Sequence, residues 1–383
     1  MKKIGILLGI LIGFGAQAHE DSTAHRAFQM SFFYPLGTKG IDAPLYVNNL
    51  SINVLGGLNG GVNGVEIGGL LNTNVGDVFG FQVAGIANVT KGSSDGIIAS
   101  GIANVVKDSS RALMFSGIAN VVGGEAYGIY SAGITNTING SFTGIQTAGI
   151  SNFTNGNSFG FQGAGISNTN AGNFVGLQTA GITNVNTGNL IGAQFSLINM
   201  AKNVTGLQVG LINIANKYDR GVPLGLISFV KDGYHALELS AEESIYANLK
   251  FKLGVERLYN VFKVGFTQGN GDNLLTYGIG MGSMIPLGER ARLSLDLSAN
   301  HLVRPNTNAE LELLNKADFA FRYKLGKHLD VFAGPSINVY VTENNAENAA
   351  LTPAYTMWEE TWWNGTGSTS IWVGGQAGIS VNF

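Results

Sequence analysis

Gly80-Phe81-Gln82-Val83-Ala84-Gly85-Ile86-Ala87-Asn88 is one copy of a nonapeptide, G-x-Q-x-A-G-I-x-N, that returns in the same phase at residues 144–152, 160–168 and 176–184. Its second glycine recurs at Gly69, Gly85, Gly101, Gly117, Gly133, Gly149, Gly165 and Gly181, seven successive intervals of sixteen. Self-similarity at a fixed period is the mark of a stacked or meandering array, in which each unit buries itself against its neighbours. Isoleucine follows each glycine at Ile86, Ile102, Ile118, Ile134, Ile150, Ile166 and Ile182. Asparagine stands two residues later at Asn88, Asn104, Asn120, Asn136, Asn152, Asn168 and Asn184. Residues two apart on a strand share a face, so the apolar and amide rows are expected side by side.

Two constructions satisfy this pattern. Each repeat is one coil of a β-solenoid, with short strands on either side of the Ala84-Gly85 step. Alternatively each is one long strand, about residues 79–89, of an antiparallel meander, and the whole chain is then a single large β-barrel. A later copy bears on the choice. Gly206-Leu207-Gln208-Val209-Gly210-Leu211-Ile212-Asn213 lacks the alanine present at Ala180. Within an unbroken strand that deletion would reverse every following face, whereas at a corner or bulge it is cheap. The step is therefore read as a corner or bulge. The repeated amides read as a structural ladder, because an active site needs a few unlike groups converging. The period also resembles that of bacterial ice-nucleation repeats, but their outward threonine row is absent: positions 83, 147 and 163 are Val83, Thr147 and Gly163.

Charge is scarce between residues 57 and 216, where only Glu66, Asp77, Lys91, Asp95, Lys107, Asp108, Arg111, Glu125 and Lys202 occur. From about residue 234 the pattern changes to period-two strands. Leu293, Leu295, Leu297 and Ala299 alternate with Arg292, Ser294, Asp296, Ser298 and Asn300; Phe319, Phe321 and Tyr323 alternate with Asp318, Arg322 and Lys324. Short turns such as Leu287-Gly288-Glu289-Arg290 separate them. Glu238, Glu242, Asp296 and Asp318 are placed to meet Lys250, Lys252, Arg292, Arg322 and Lys324 inside a barrel; in a narrow one they must pair, in a wide one they line a pore. The last strand alternates through Ile371, Val373, Ile379 and Val381 to Phe383. It resembles the closing strand of bacterial outer-membrane β-barrels, whose terminal aromatic residue is read by the barrel-assembly machinery; Phe383 takes that place.

Residues 1–18 read as a secretory signal, with Lys2 and Lys3, an apolar run, and Ala16-Gln17-Ala18 as the cleavage site. There is no cysteine, which excludes disulfides and thiolate metal sites, and the net charge of −3 shows no nucleic-acid bias. The expected organisation is a signal over 1–18, an N-terminal strand and connection over 19–49, repeats over 50–230 and an antiparallel β-barrel region over 231–383. The fold class is all-β: solenoid or meander, then outer-membrane barrel.

The repeats from about residue 49 to 228, closed by Gly225-Leu226-Ile227-Ser228, resemble the surface repeat-containing protein family of spirochaete and Bacteroidetes envelopes. That resemblance implies an outer-membrane or cell-surface location in a Gram-negative-type bacterium and no reaction. Five scattered histidines and the lack of nucleophile or phosphate motifs argue against an enzyme; a barrel-borne hydrolase is the remote alternative. No cofactor is called for. A structural or ligand-binding role, as adhesin or scaffold, is expected, with a porin as the alternative. The candidate binding loop lies in residues 343–369, with Tyr355, Trp358, Trp362 and Trp363. Expected partners are membrane lipid, the assembly machinery and a surface ligand.

Overall fold

The structure is a computed structural model and describes residues 24–269, 272–303, 311–343, 349–351, 353, 355–362 and 366–383. The signal over 1–18 and Trp363 lie outside the described residues. Two compact units divide the chain, Met1–Gly165 and Ile166–Phe383.

The first unit is a parallel β-solenoid. Each coil supplies a strand of seven residues and one of four, as in Val78–Ala84 and Ala87–Thr90. Coils pair in register sixteen residues apart: Gln82 faces Ile98, Asn88 faces Asn104, and Ile97 faces Leu113. This excludes the single long strand and the one-barrel alternative, since antiparallel neighbours would be required. Gly85 and Ile86 form the corner between the strands. Close stacking explains the glycine: a Cβ on Gly101 would sit 2.2 Å from the Gly85 carbonyl oxygen. Inside the longer strand a second glycine row, including Gly80, Gly128 and Gly144, takes φ of 119°, 126° and 137°, which L side chains rarely adopt.

The corner also corrects the expected rows. Ile86 is 41% exposed, whereas Asn88 is 1% exposed. They are not on one face, because Ile86 sits in the bend and the second strand begins only at Ala87. Isoleucines therefore line the outside and asparagines the inside.

The second unit begins with coils of the same kind, from Ser167–Asn170 to Ile227–Val230. Here Asn199 and Asn213 pair at an interval of fourteen, yet both stay buried. The missing alanine falls at the corner and the second lost residue at the turn, where Lys202-Asn203 stands in place of Thr187-Gly188-Asn189, so no face is reversed. An antiparallel barrel follows. Tyr234–Glu242, Ala247–Val255, Leu258–Gly269, Asp272–Pro286, Ala291–Val303, Glu312–Lys324, Leu329–Thr342 and Gly367–Asn382 pair in order. Gly367–Asn382 closes the ring on Tyr234–Glu242, with Glu238 opposite Ser380. A short strand, Trp358–Trp362, adds to the free flank of Gly367–Asn382.

Eight strands leave just enough interior for side chains to fill. Leu239, Phe251, Ile279, Leu297, Phe321 and Ile379 point outward. Lys250, Lys252, Asp296, Asp318 and Arg322 are buried inside.

Candidate functional site

The inside of the coils holds an amide ladder beside an apolar core that includes Ile98, Met114, Val122 and Phe142. Each asparagine spends its two Nδ2 hydrogens differently. Asn104 donates to Asn120 Oδ1 at 2.9 Å along the stack, and to the Phe115 carbonyl at 2.7 Å just before the next corner. Asn120 repeats this with Asn136 Oδ1 and the Ser131 carbonyl, both at 2.9 Å. The same pair of bonds recurs at Asn72, Asn88 and Asn136. In the second unit Asn168, Asn184 and Asn199 do likewise. Strand stacking thus satisfies a fully buried polar row without water. Ile102, Ile118, Ile134, Ile150, Ile166 and Ile182 stay outside, at the corners. The amides Asn152, Asn168 and Asn184 are buried with the rest, and Gly117, Gly133, Gly149 and Gly165 are each packed against the carbonyl of the glycine before them.

Glu66 occupies the glutamine position of this core, opposite Gln82. It accepts from Asn53, Asn59, Asn74 and Gln82 at 2.6–3.0 Å. Burial pushes its pKa up to about 7 despite those four bonds, because none of the donors carries charge.

The barrel interior uses ion pairs instead. Lys252 lies 2.5 Å from Asp296 and 3.0 Å from Glu238, and Arg322 lies 2.6 Å from Glu238. Tyr259 donates to Asp296 at 2.6 Å. In the next layer Glu242 meets Lys250 at 2.7 Å and Lys316 at 2.6 Å, and Lys263 lies 3.4 Å from Asp318. Lys263 and Lys316 were missed in the sequence reading, although each keeps the interior parity of its strand. Arg292 and Lys324 were expected inside and stand at the mouth of the lumen, where the largely buried Arg292 also lies 3.8 Å from the buried Asp330. Arg292 stands at the rim, 2.7 Å from Glu256, and Lys324 lines a rim cleft. Both sit at strand ends, where alternation no longer decides the environment.

Apolar clusters close both ends of this charged zone. Tyr234, Ala236, Tyr259, Val261 and Met284 pack at the short-turn end. At the other end Leu274, Leu302, Leu314, Tyr340 and Trp372 pack with Ala349, Ala350 and Leu351, drawn in from the long connection. The Tyr340 hydroxyl donates to Glu312 there. The lumen is thus filled by described side chains along its length.

The aromatic residues of the connection lie outside. Tyr355 donates to the Val373 carbonyl, Trp358 is 46% exposed opposite Ile371, and Trp362 donates to Thr369 Oγ1 at 3.1 Å. Phe383 lies at the opposite, short-turn end, edge-on to His235 and stacked near Phe251. Among the described residues no group of three or more His, Cys, Asp or Glu side chains is placed to hold a metal ion, and no helix is long and apolar enough to cross a membrane.

No family model matches the chain, and no curated protein does. Among solved structures, the backbone structure of the Yersinia pestis outer membrane protein Ail in a phospholipid bilayer nanodisc is similar at 10% identity and a TM-score of 0.23. The match covers 40% of this chain and 100% of that one. A TM-score of that size transfers nothing.

Proposed function

We infer that the chain is an outer-membrane protein of a Gram-negative-type envelope whose barrel anchors a repeat array with a structural or ligand-binding role. The observation that carries this reading is the polarity of the barrel. Its outer face is a band of leucine, isoleucine, valine and phenylalanine; its inner face is ion-paired. A closed ring with that polarity satisfies every strand internally and suits a hydrocarbon surround. The signal over residues 1–18 and Phe383 as the handle for barrel assembly fit the same route. Membership of the surface repeat-containing family is part of this proposal.

The filled lumen favours an anchor over the porin alternative. The aromatic residues Tyr355 and Trp358, outward at the long-connection end, support either interfacial anchoring or capture of a surface ligand. No enzymatic role and no nucleic-acid partner is proposed.

Reconstituting the full chain into planar bilayers tests this. Folded, heat-modifiable protein that inserts and stays electrically silent is expected. Steady single-channel currents would replace the anchor with a porin. Recovery of folded protein in a detergent-free aqueous fraction would remove the membrane reading altogether.

A further inference from the structure

The coils bury an apolar core, including Met114, Tyr130 and Phe142 in the first unit and Phe174, Leu190 and Val204 in the second, beside their amide rows, and they carry a further set of large apolar side chains on the outside. In the second unit the corner row runs Ile166, Ile182, Leu197, Leu211 and Leu226, each exposed, with Leu211 at 55%. The other edge of the coils is polar. Its turn residues include Thr187, Asn189, Lys202 and Asn203, and Asn203 donates to Asn189 Oδ1 at 2.8 Å. Continuous apolar rows of this length are rare on soluble surfaces and mark a contact site.

The last coil shows what covers the row. Asn260 lies on the outer face of its barrel strand, between Leu258 and Phe262. Its Nδ2 donates to the Gly225 carbonyl at 2.7 Å, and its Oδ1 accepts from the Ser228 amide at 2.8 Å. The coil is therefore seated on the barrel's outer wall, about 10 Å along the strand from the short turn at Glu256 and Arg257. At this seat the corner residues Leu224 and Leu226 share a shallow apolar groove with Phe262, Ile279 and Met281 of the barrel's outward band. The polar edge, at Asp219 and Arg220, meets the charged rim instead, in a cleft with Arg257, Arg292, Lys324 and Lys327. Apolar edge meets apolar band and polar edge meets charged rim, so one boundary runs across both elements.

We propose that the coils lie along the membrane, their glycine–isoleucine corner edge sunk among the acyl chains of the leaflet at the barrel's short-turn end. The occupant of the row is lipid hydrocarbon, and the turns opposite lie at headgroup level. This rests on the barrel being membrane-embedded. The first unit presents a like row, Ile86, Ile102, Ile118, Ile134 and Ile150, while Lys91, Lys107, Asp108 and Glu125 sit at or beside its opposite turns. Its row has the same chemistry, and lipid hydrocarbon is its expected occupant too.

The chain has no cysteine, so single-cysteine spin labels report without a background to remove. Ile182→Cys, Leu211→Cys and Ile118→Cys label the edge; Asn189→Cys and Lys202→Cys label the turns; Leu297→Cys labels the barrel wall. All are surface positions, and the full chain is studied in phospholipid nanodiscs. Edge labels are expected to collide with oxygen several-fold more than turn labels, and with an aqueous nickel chelate several-fold less, matching Leu297→Cys. Nickel-accessible edge labels beside a protected Leu297→Cys would overturn the inference and leave the barrel reading intact. A nickel-accessible Leu297→Cys would overturn both. Spin–spin broadening between edge labels of different molecules would also overturn it, by showing a second copy on the row.

Discussion

The coils bury amide rows beside an apolar core and the barrel buries ion pairs between apolar clusters, yet they satisfy those polar groups by different means. In the coils the side-chain partner of each ladder asparagine is the same residue one repeat along, as Asn104 is to Asn120. In the barrel the partners are unlike residues of opposite charge brought together by strand register, as Glu238 is to Arg322, eighty-four residues away. Translation suffices for a neutral amide, which carries both a donor and an acceptor. A buried charge needs an opposite charge at a defined place, because its desolvation is far larger. Damage should therefore spread differently in the two regions.

The largest effect is expected in the barrel. Glu242→Gln leaves Lys250, Lys263 and Lys316 short of a shared carboxylate. Denaturant unfolding in micelles should register a loss of about 3–5 kcal/mol. A loss below about 1 kcal/mol would mean that the two cores are alike after all.

Glu66 tests the charge argument inside the coils, where no counter-charge waits. Its folded pKa lies above its ordinary value of 4.5, so the folded state holds the proton more tightly. Stability of the first unit should be full below about pH 4.5, fall as pH rises to about 7, and stay level above. The span is about 3 kcal/mol on the usual conversion of a pKa shift. Thermal unfolding of Glu66→Gln should lose this slope; an unchanged slope would assign it to another group.

Breaking one rung is expected to cost less. Asn120→Ala removes a donor to the Ser131 carbonyl and the bond to Asn136, and leaves Asn104 with one hydrogen unspent. About 2 kcal/mol should be lost, and hydrogen exchange should rise mainly in the adjoining coils. Uniform loosening of the array would show a more cooperative ladder than pairwise bonds imply. Trp358→Ala should be smallest, within about 0.5 kcal/mol in the same unfolding assay, since its ring is outside both cores. A larger loss would make the aromatic strand part of the barrel's support.

This contrast also explains what the sequence could disclose. The sixteen-residue period made the array legible, and the missing alanine beside Gly210 located its corner. Which row faced inward was not legible, because a bend between Ile86 and Asn88 breaks the two-residue rule that put them together. In the barrel, alternation separated Leu297 from Asp296 and Phe321 from Arg322. It could not pair Lys316 with Glu242, since strand register joins them only after closure. Arg292 and Lys324 keep the interior parity but stand at the mouth of the lumen, because parity says nothing about depth along a strand. The Asn260 seat left no trace in any pattern, being one polar residue in an apolar row.

That seat has a consequence for how long the array can be. Asn260 recognises only the backbone of the final coil, at Gly225 and Ser228. A duplication or loss of one sixteen-residue copy elsewhere would slide the stack by one strand spacing, about 4.8 Å, and present the same backbone to the same asparagine. Array length is thus uncoupled from attachment, and tandem slippage in the coding sequence could tune reach without redesigning the anchor.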